Sequence, residues 1–106
     1  MSRKPSGIDP HIHPPARLQL VTMLTAVSEV EFVTLREALG VSDSVLSKHV
    51  SALAEVGYVK SRKGTRDGRR TTWIALTKKG ERALRGHAAA LRALLEPVEP
   101  VPEGGP

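Results

Sequence analysis

Apolar residues recur along this chain with two different periods, and the change from one to the other organises it. From Ala16 they fall at Leu18, Leu20/Val21, Leu24 and Val27, the spacing of one helical face. Pro14-Pro15 suits the start of that helix, where a missing amide hydrogen costs nothing, and Ser28-Glu29 ends it. Glu31-Phe32-Val33 is a short extended candidate. Thr34-Leu-Arg-Glu37 then has the form of a capping box, in which the Thr34 hydroxyl caps and Glu37 reaches back. The helix it opens stops at Gly40, suited to a left-handed C-terminal position. Ser42 caps the next helix, with Asp43 favourably placed in its first turn, and Gly57 closes it. Val45/Leu46, Val50 and Leu53 follow the spacing of its core side. Beyond Tyr58 the period becomes two. Tyr58 to Lys63 and Thr71 to Leu76 alternate as strands joined by Gly64-Thr-Arg-Asp-Gly68, and read as a hairpin. Thr77 caps a last helix with apolar positions at Ala83/Leu84, Ala88, Leu91 and Leu94/Leu95, and Pro97 ends it.

Two helices separated by a glycine-containing turn of about three residues form a helix-turn-helix. With the flanking elements the expected order is α-β-α-α-β-β-α, an α+β, mostly helical, winged helix-turn-helix fold. Residues 14–95 are expected to form the domain. Residues 1–13, rich in Pro, Gly and polar groups, read as a flexible N-terminal arm with little structure of its own. Residues 96–106, PVEPVPEGGP after Glu96, read as a disordered tail.

The 106 residues suffice for one domain, and only three of them are aromatic (one Trp, one Tyr, one Phe), so core volume has to come from Leu, Val and Ala. A core that small makes self-association plausible. With no cysteine, disulfides and thiolate metal sites are ruled out. No apolar run approaches the ~18 residues of a membrane span, so the expectation is a cytoplasmic protein without a membrane partner.

Charge changes the picture most. Nine lysines and arginines lie between Asp43 and Lys79 against three acids. That segment is therefore +6, more than the whole-chain +5. Positive charge concentrated on one segment marks a polyanion-binding face. Within it, the outer side of the second motif helix carries Ser42, Asp43, Ser44, Ser47, Lys48 and Ser51. Short hydroxyls let a helix backbone approach a groove, and lysine reaches guanine acceptors or phosphate. A merely solvated helix face would look similar. The adjacent hairpin decides for DNA, since Arg62, Lys63, Arg66, Arg69 and Arg70 place five cations in nine residues. These are candidate phosphate clamps, and an arginine at the tip can enter a narrow minor groove. Asp67 is placed to orient one of them.

Other chemistry finds little support. His11 and His13 stand two apart without a third ligand nearby, His49 falls on the inner or boundary side of its helix, and His87 lies among alanines. No metal site, catalytic constellation or cofactor is expected. Trp73 reads as a core or helix-packing anchor rather than a platform for bases.

The chain resembles the MarR/ArsR-like winged-helix transcriptional regulators, and among them the small stand-alone winged helix DNA-binding domain proteins. The likeness rests on Ile8-Asp-Pro10, Ile12-His-Pro14, Arg17-Leu18, Phe32-Val-Thr-Leu-Arg-Glu37 and Leu39-Gly-Val-Ser-Asp43. It continues through Leu46-Ser-Lys-His49, Leu53-Ala-Glu-Val-Gly-Tyr-Val59, the arginine-rich wing and Thr72-Trp-Ile-Ala-Leu-Thr77 with Gly80. The resemblance implies a sequence-specific double-stranded DNA-binding transcriptional regulator, a homodimer built mainly from the first and last helices. It implies Ser44, Ser47, Lys48 and Ser51 in the major groove and Arg66 and Arg69 at the wing. Many relatives sense a metal or small molecule, so an effector of unidentified chemistry is a further candidate partner. Leu84, Ala88, Leu91 and Leu95 on the last helix, with Leu20 and Leu24 on the first, are the expected dimer interface. The expected activity is that of a repressor on a short inverted repeat. The alternative is a winged-helix protein–protein interaction module, for which a basic wing is not needed.

Overall fold

The computed structural model describes residues 7–96; residues 1–6 of the expected arm and the expected tail beyond Glu96 lie outside them. The element order is α1 (Pro15–Leu24), β1 (Val30–Glu31), α2 (Phe32–Leu39), α3 (Asp43–Glu55), β2 (Val59–Arg66), β3 (Arg69–Leu76) and α4 (Lys78–Leu95). The three antiparallel strands lie in the order β1-β3-β2. This is the expected winged helix-turn-helix.

Local signals account for most boundaries. The Ser42 hydroxyl accepts from the Val45 amide at 3.2 Å. Gly40, the left-handed C-cap of α2, takes φ +68°, which lets its amide and that of Val41 both return to the Arg36 carbonyl. The Thr77 hydroxyl does double duty. It caps α4 by accepting from the Gly80 amide at 2.9 Å, and donates to the Gly57 carbonyl at 2.6 Å. The end of α3 and the start of α4 are thereby fixed to each other.

Four boundaries differ from expectation. β1 ends at Glu31 and α2 begins directly at Phe32, with Glu31 at the N-cap and no side-chain cap. Thr34 is therefore inside the helix and exposed, and its capping box does not form, because sheet pairing through Glu31 sets the point where extended backbone stops. Second, α1 stops at Leu24. The next three amides, Thr25, Ala26 and Val27, bond three residues back, a tightened final turn that leaves Val27 exposed. Third, the hairpin is longer than expected. β2 and β3 pair continuously from Val59↔Leu76 to Arg66↔Arg69. Only Asp67 (φ +52°) and Gly68 (φ +79°) form the turn, and positive φ at both central residues is what a type I′ turn requires.

Fourth, residues 7–13 belong to the folded unit. Ile12 is fully buried in the core, with Leu20, Val21, Leu24, Leu35, Leu46, Leu53, Val59 and Ile74. Asp9 anchors this segment. Its amide donates to His87 Nδ1 (3.0 Å), and its carboxylate accepts from the Tyr58 hydroxyl (2.6 Å) and the His11 amide (2.8 Å). Burial alone would raise the Asp9 pKa, but these hydrogen bonds hold it below the usual carboxylate value. The same bond pushes Tyr58 up to about 12. The core also overturns part of the expected dimer surface. Leu20 and Leu24 are 0% and 1% exposed, so they pack within their own chain and have nothing left to offer a partner.

Candidate nucleic-acid interface

α3 presents its polar side to solvent because its apolar side is occupied. Leu46 and Leu53 are fully buried and Val50 packs partly against the same core. Ser42, Ser44, Ser47, Lys48 and Ser51 are all exposed. Val45 does not join the core side; it is 39% exposed, adding an apolar contact next to Ser44. Two expected site residues have local duties. The Ser42 hydroxyl is spent on its cap, and Asp43 accepts from Arg36 at 2.9 Å, linking α2 to α3. That hydrogen bond is the main reason the Arg36 pKa is raised. Arg36 thereby offsets part of the negative charge that Asp43 presents at the start of α3. His49 lies at the boundary as expected, accepting from Arg17 Nε at 3.1 Å; burial and then the Arg17 charge lower its pKa.

The hairpin divides its cations by strand parity. Side chains alternate across a strand, so Ser61, Lys63 and Thr65 share a face with buried Val59. Their register partners Ile74, Thr72 and Arg70 lie on that face too. It turns toward α3: Ser47 and Ser51 line a cleft together with Ser61, Lys63 and Thr72. Lys63 and Arg70 also share a second cleft further out with Thr72. A cleft between helix and ribbon is therefore lined by serine and threonine hydroxyls and Lys63, with Asp43 and the apolar Phe32, Val50 and Ile74 also in its lining. Arg70 lines the second cleft with Lys63. Ser61 and Thr72 are members of the first that the charge pattern did not single out, although alternation outward from Val59 and the cross-strand register mark them.

The opposite face carries Arg62, Arg66 and Arg69 with Trp73. Here the first two cations are already engaged. Arg62 makes a two-pronged contact with Glu29, Nε to Oε1 at 3.0 Å and Nη2 to Oε2 at 2.6 Å. Its guanidinium lies 5.4 Å from the Trp73 ring centroid. This hydrogen bonding is the leading cause that lowers the Glu29 pKa and raises that of Arg62. Arg66 Nη1 donates to Glu31 Oε1 at 3.1 Å and has only a long 4.0 Å contact with Asp67. Trp73 is thus half-buried beneath Arg62 on the outer face of the sheet, not a helix anchor, because its register with Arg62 places it there. Lys63, Arg69 and Arg70 make no ion pair among the described residues. Of the apolar stripe expected on α4, Leu84, Ala88 and Leu91 are half-buried, while Leu94 and Leu95 are 59% and 77% exposed.

Among the described residues no group of three or more His, Asp or Glu side chains is arranged to hold a metal ion. No described helix is long and apolar enough to cross a membrane.

Comparison with known proteins agrees with this fold. A protein of Methanocaldococcus jannaschii described as uncharacterized is 30% identical over 83 residues, covering 78% of this chain and 90% of its own. A transcriptional regulator homologue from Pyrococcus horikoshii superposes with a TM-score of 0.75 at 24% identity, covering 80% of this chain and 84% of that one. Sco3205, a MarR family transcriptional regulator of Streptomyces coelicolor solved in complex with DNA, gives 0.64 at 22% identity, covering 86% of this chain and 66% of its own. PcaV from the same organism, solved with its natural ligand, gives 0.66 at 23% identity over 85% and 65%. The family model described as a winged helix DNA-binding domain matches residues 16–95. By this match, with its fold, the chain belongs to the winged helix DNA-binding domain family, whose fold it shares with the MarR-type transcriptional regulators and which is not a family of enzymes.

Proposed function

We propose that this protein is a homodimeric, sequence-specific regulator of transcription that binds duplex DNA and represses from a short inverted repeat. The observation that carries the reading is the groove in which Ser47 and Ser51 of α3 face Ser61, Lys63 and Thr72 of the ribbon. A helix in the major groove and a cationic ribbon on adjacent phosphates are met by one surface. Ser44, Ser47, Lys48 and Ser51 read base edges, with Val45 available for a thymine methyl. Lys63 and Arg70 hold phosphates, and Arg69 at the tip reaches the neighbouring groove. The exposed Leu94 and Leu95, continuing the line of Leu91, Ala88 and Leu84, supply the dimer contact. A two-fold axis then sets the two α3 helices ~34–36 Å apart.

A selection of bound duplexes from a random pool, followed by a salt titration, tests this. A palindromic site is expected. Ser47→Ala with Lys48→Ala should remove the preference for it, at ~1–3 kcal/mol per lost base contact. Lys63→Ala or Arg70→Ala should weaken binding to every duplex and reduce the salt slope by ~0.9 each. Absence of binding to random duplex at low salt would reject the reading in favour of a protein-interaction module.

A further inference from the structure

Beyond β1, no third strand flanks the wing among the described residues. β1 pairs only through Val30↔Ile74 and Glu31↔Trp73, yet the ribbon continues from there to Asp67-Gly68. An unsupported two-stranded ribbon is marginal in water, and its pitch against α3 decides whether both touch one duplex. Two carboxylates, one just before β1 and one at its end, reach across β3 to the ribbon, the first at the last level that β1 pairs and the second beyond it. Glu29 takes Arg62 in a fork. Glu31 takes a residue from each strand, Arg66 of β2 at 3.1 Å and the Thr71 hydroxyl of β3 at 2.8 Å. We propose that Glu29 and Glu31 are positioning residues of the wing, and that Arg62 and Arg66 are struts holding the ribbon at its working angle rather than clamps on DNA. This rests on the DNA-binding reading above and assigns roles within it.

Three observations favour struts over clamps. Both arginines lie on the face turned away from α3, whereas Lys63 and Arg70 share the α3 side and make no ion pair among the described residues. Arg62 is further held by Trp73, and the backbone makes room for it: a Cβ at Gly64 would stand 2.8 Å from Arg62 Nη1 and 3.1 Å from Trp73 Nε1. Finally, the Glu31 side chain is only 13% exposed. An exposed ion pair adds little by itself, but pulling Arg66 onto a phosphate would strip a largely buried carboxylate of its cation. Moving Arg66 away from Glu31 therefore carries a cost that moving Lys63, with no ion pair among the described residues, does not.

The test uses the full chain, with anisotropy titrations against random-sequence and selected duplexes across a salt series. Arg62→Met should leave the salt slope unchanged and weaken binding to the selected site by several-fold. The reversed pair Glu29→Arg with Arg62→Glu should restore that affinity. A drop of ~0.9 in slope for Arg62→Met, matching Lys63→Ala, would overturn the strut, as would failure of the reversed pair to recover affinity while its melting temperature is native. Glu31→Gln gives an independent reading without charge at a crowded site: weaker selected-site binding with unchanged slope supports the strut, and tighter binding with a steeper slope, from a freed Arg66, refutes it. Loss of all wild-type binding at low salt would instead reject the DNA reading itself.

Discussion

Gly80 sits in the first turn of α4, where general helix propensity and this packing predict opposite outcomes for Gly80→Ala. Propensity favours alanine by ~1 kcal/mol. The structure opposes it: a Cβ at Gly80 would collide with the Tyr58 carbonyl oxygen, and would lie 2.7 Å from Leu76 Cδ1 and 3.0 Å from the Tyr58 carbonyl carbon. All are well inside the ~3.5–4 Å separation at which carbon contacts are favourable. The carbonyl cannot swing away, because it already accepts from the Thr77 amide at 3.0 Å and from the Thr77 hydroxyl at 3.1 Å. α4 must lift instead. Overpacking of this kind costs ~1–3 kcal/mol, and disturbing the Thr77 cap adds ~1 kcal/mol. After the propensity gain the net is a loss of about 1–3 kcal/mol, or very roughly 5–20 °C in melting temperature for a domain of this size. Gly86, in the same helix with nothing within 4 Å of where a Cβ would stand, is the internal control and should gain ~1 kcal/mol as alanine. Thermal and urea unfolding followed by circular dichroism, at one protein concentration, measures both. If Gly80→Ala is as stable as Gly86→Ala, the tight packing of α4 on the start of β2 is wrong.

Leu20→Ala should cost ~2–5 kcal/mol by opening a cavity, independent of protein concentration. Leu95→Ala should leave monomer stability alone and shift the monomer–dimer midpoint measured by sedimentation; the reverse pattern would restore Leu20 to the interface. Burial, and secondarily the His13 charge, lowers the His87 pKa, with Asp9 acting weakly the other way; His49 is lowered as well. The unfolded chain then takes up protons first as pH falls, so stability is complete above the ordinary histidine value of ~6.5 and declines below it. Urea midpoints should fall between about pH 7 and pH 5. His87→Asn, which can still accept from the Asp9 amide, should flatten part of that decline; an unchanged profile would rule His87 out as its source.

Much of this molecule follows from short-range physics. The caps at Ser42 and Thr77, the glycine stops at 40 and 57 and the change of period at Tyr58 need only neighbours along the chain, so element order and the helix-turn-helix were legible. The exposed face of α3 was legible too, since helical spacing separates Ser44, Ser47, Lys48 and Ser51 from Leu46 and Leu53. Charge clustering marked the wing. Which wing cations are free was not legible, because it depends on register: Glu29 and Glu31 meet Arg62 and Arg66 across 33 and 35 residues. The Thr34 box failed for the same reason, overruled by strand pairing one turn earlier.

The amino-acid sequence alone determined what kind of surface this protein carries, because periodicity and charge are properties of the chain itself. Tertiary structure decided how that surface is used. Packing, not spacing, chose Leu20 and Leu24 for the core and left Leu94 and Leu95 outside. Asp9 and His87, 78 residues apart, join the N-terminal segment to α4 only because the core brings them together. A stripe of leucines records that burial is favourable but not against which partner, and an arginine records a charge but not the carboxylate that meets it. Both are settled by contacts between residues distant in sequence.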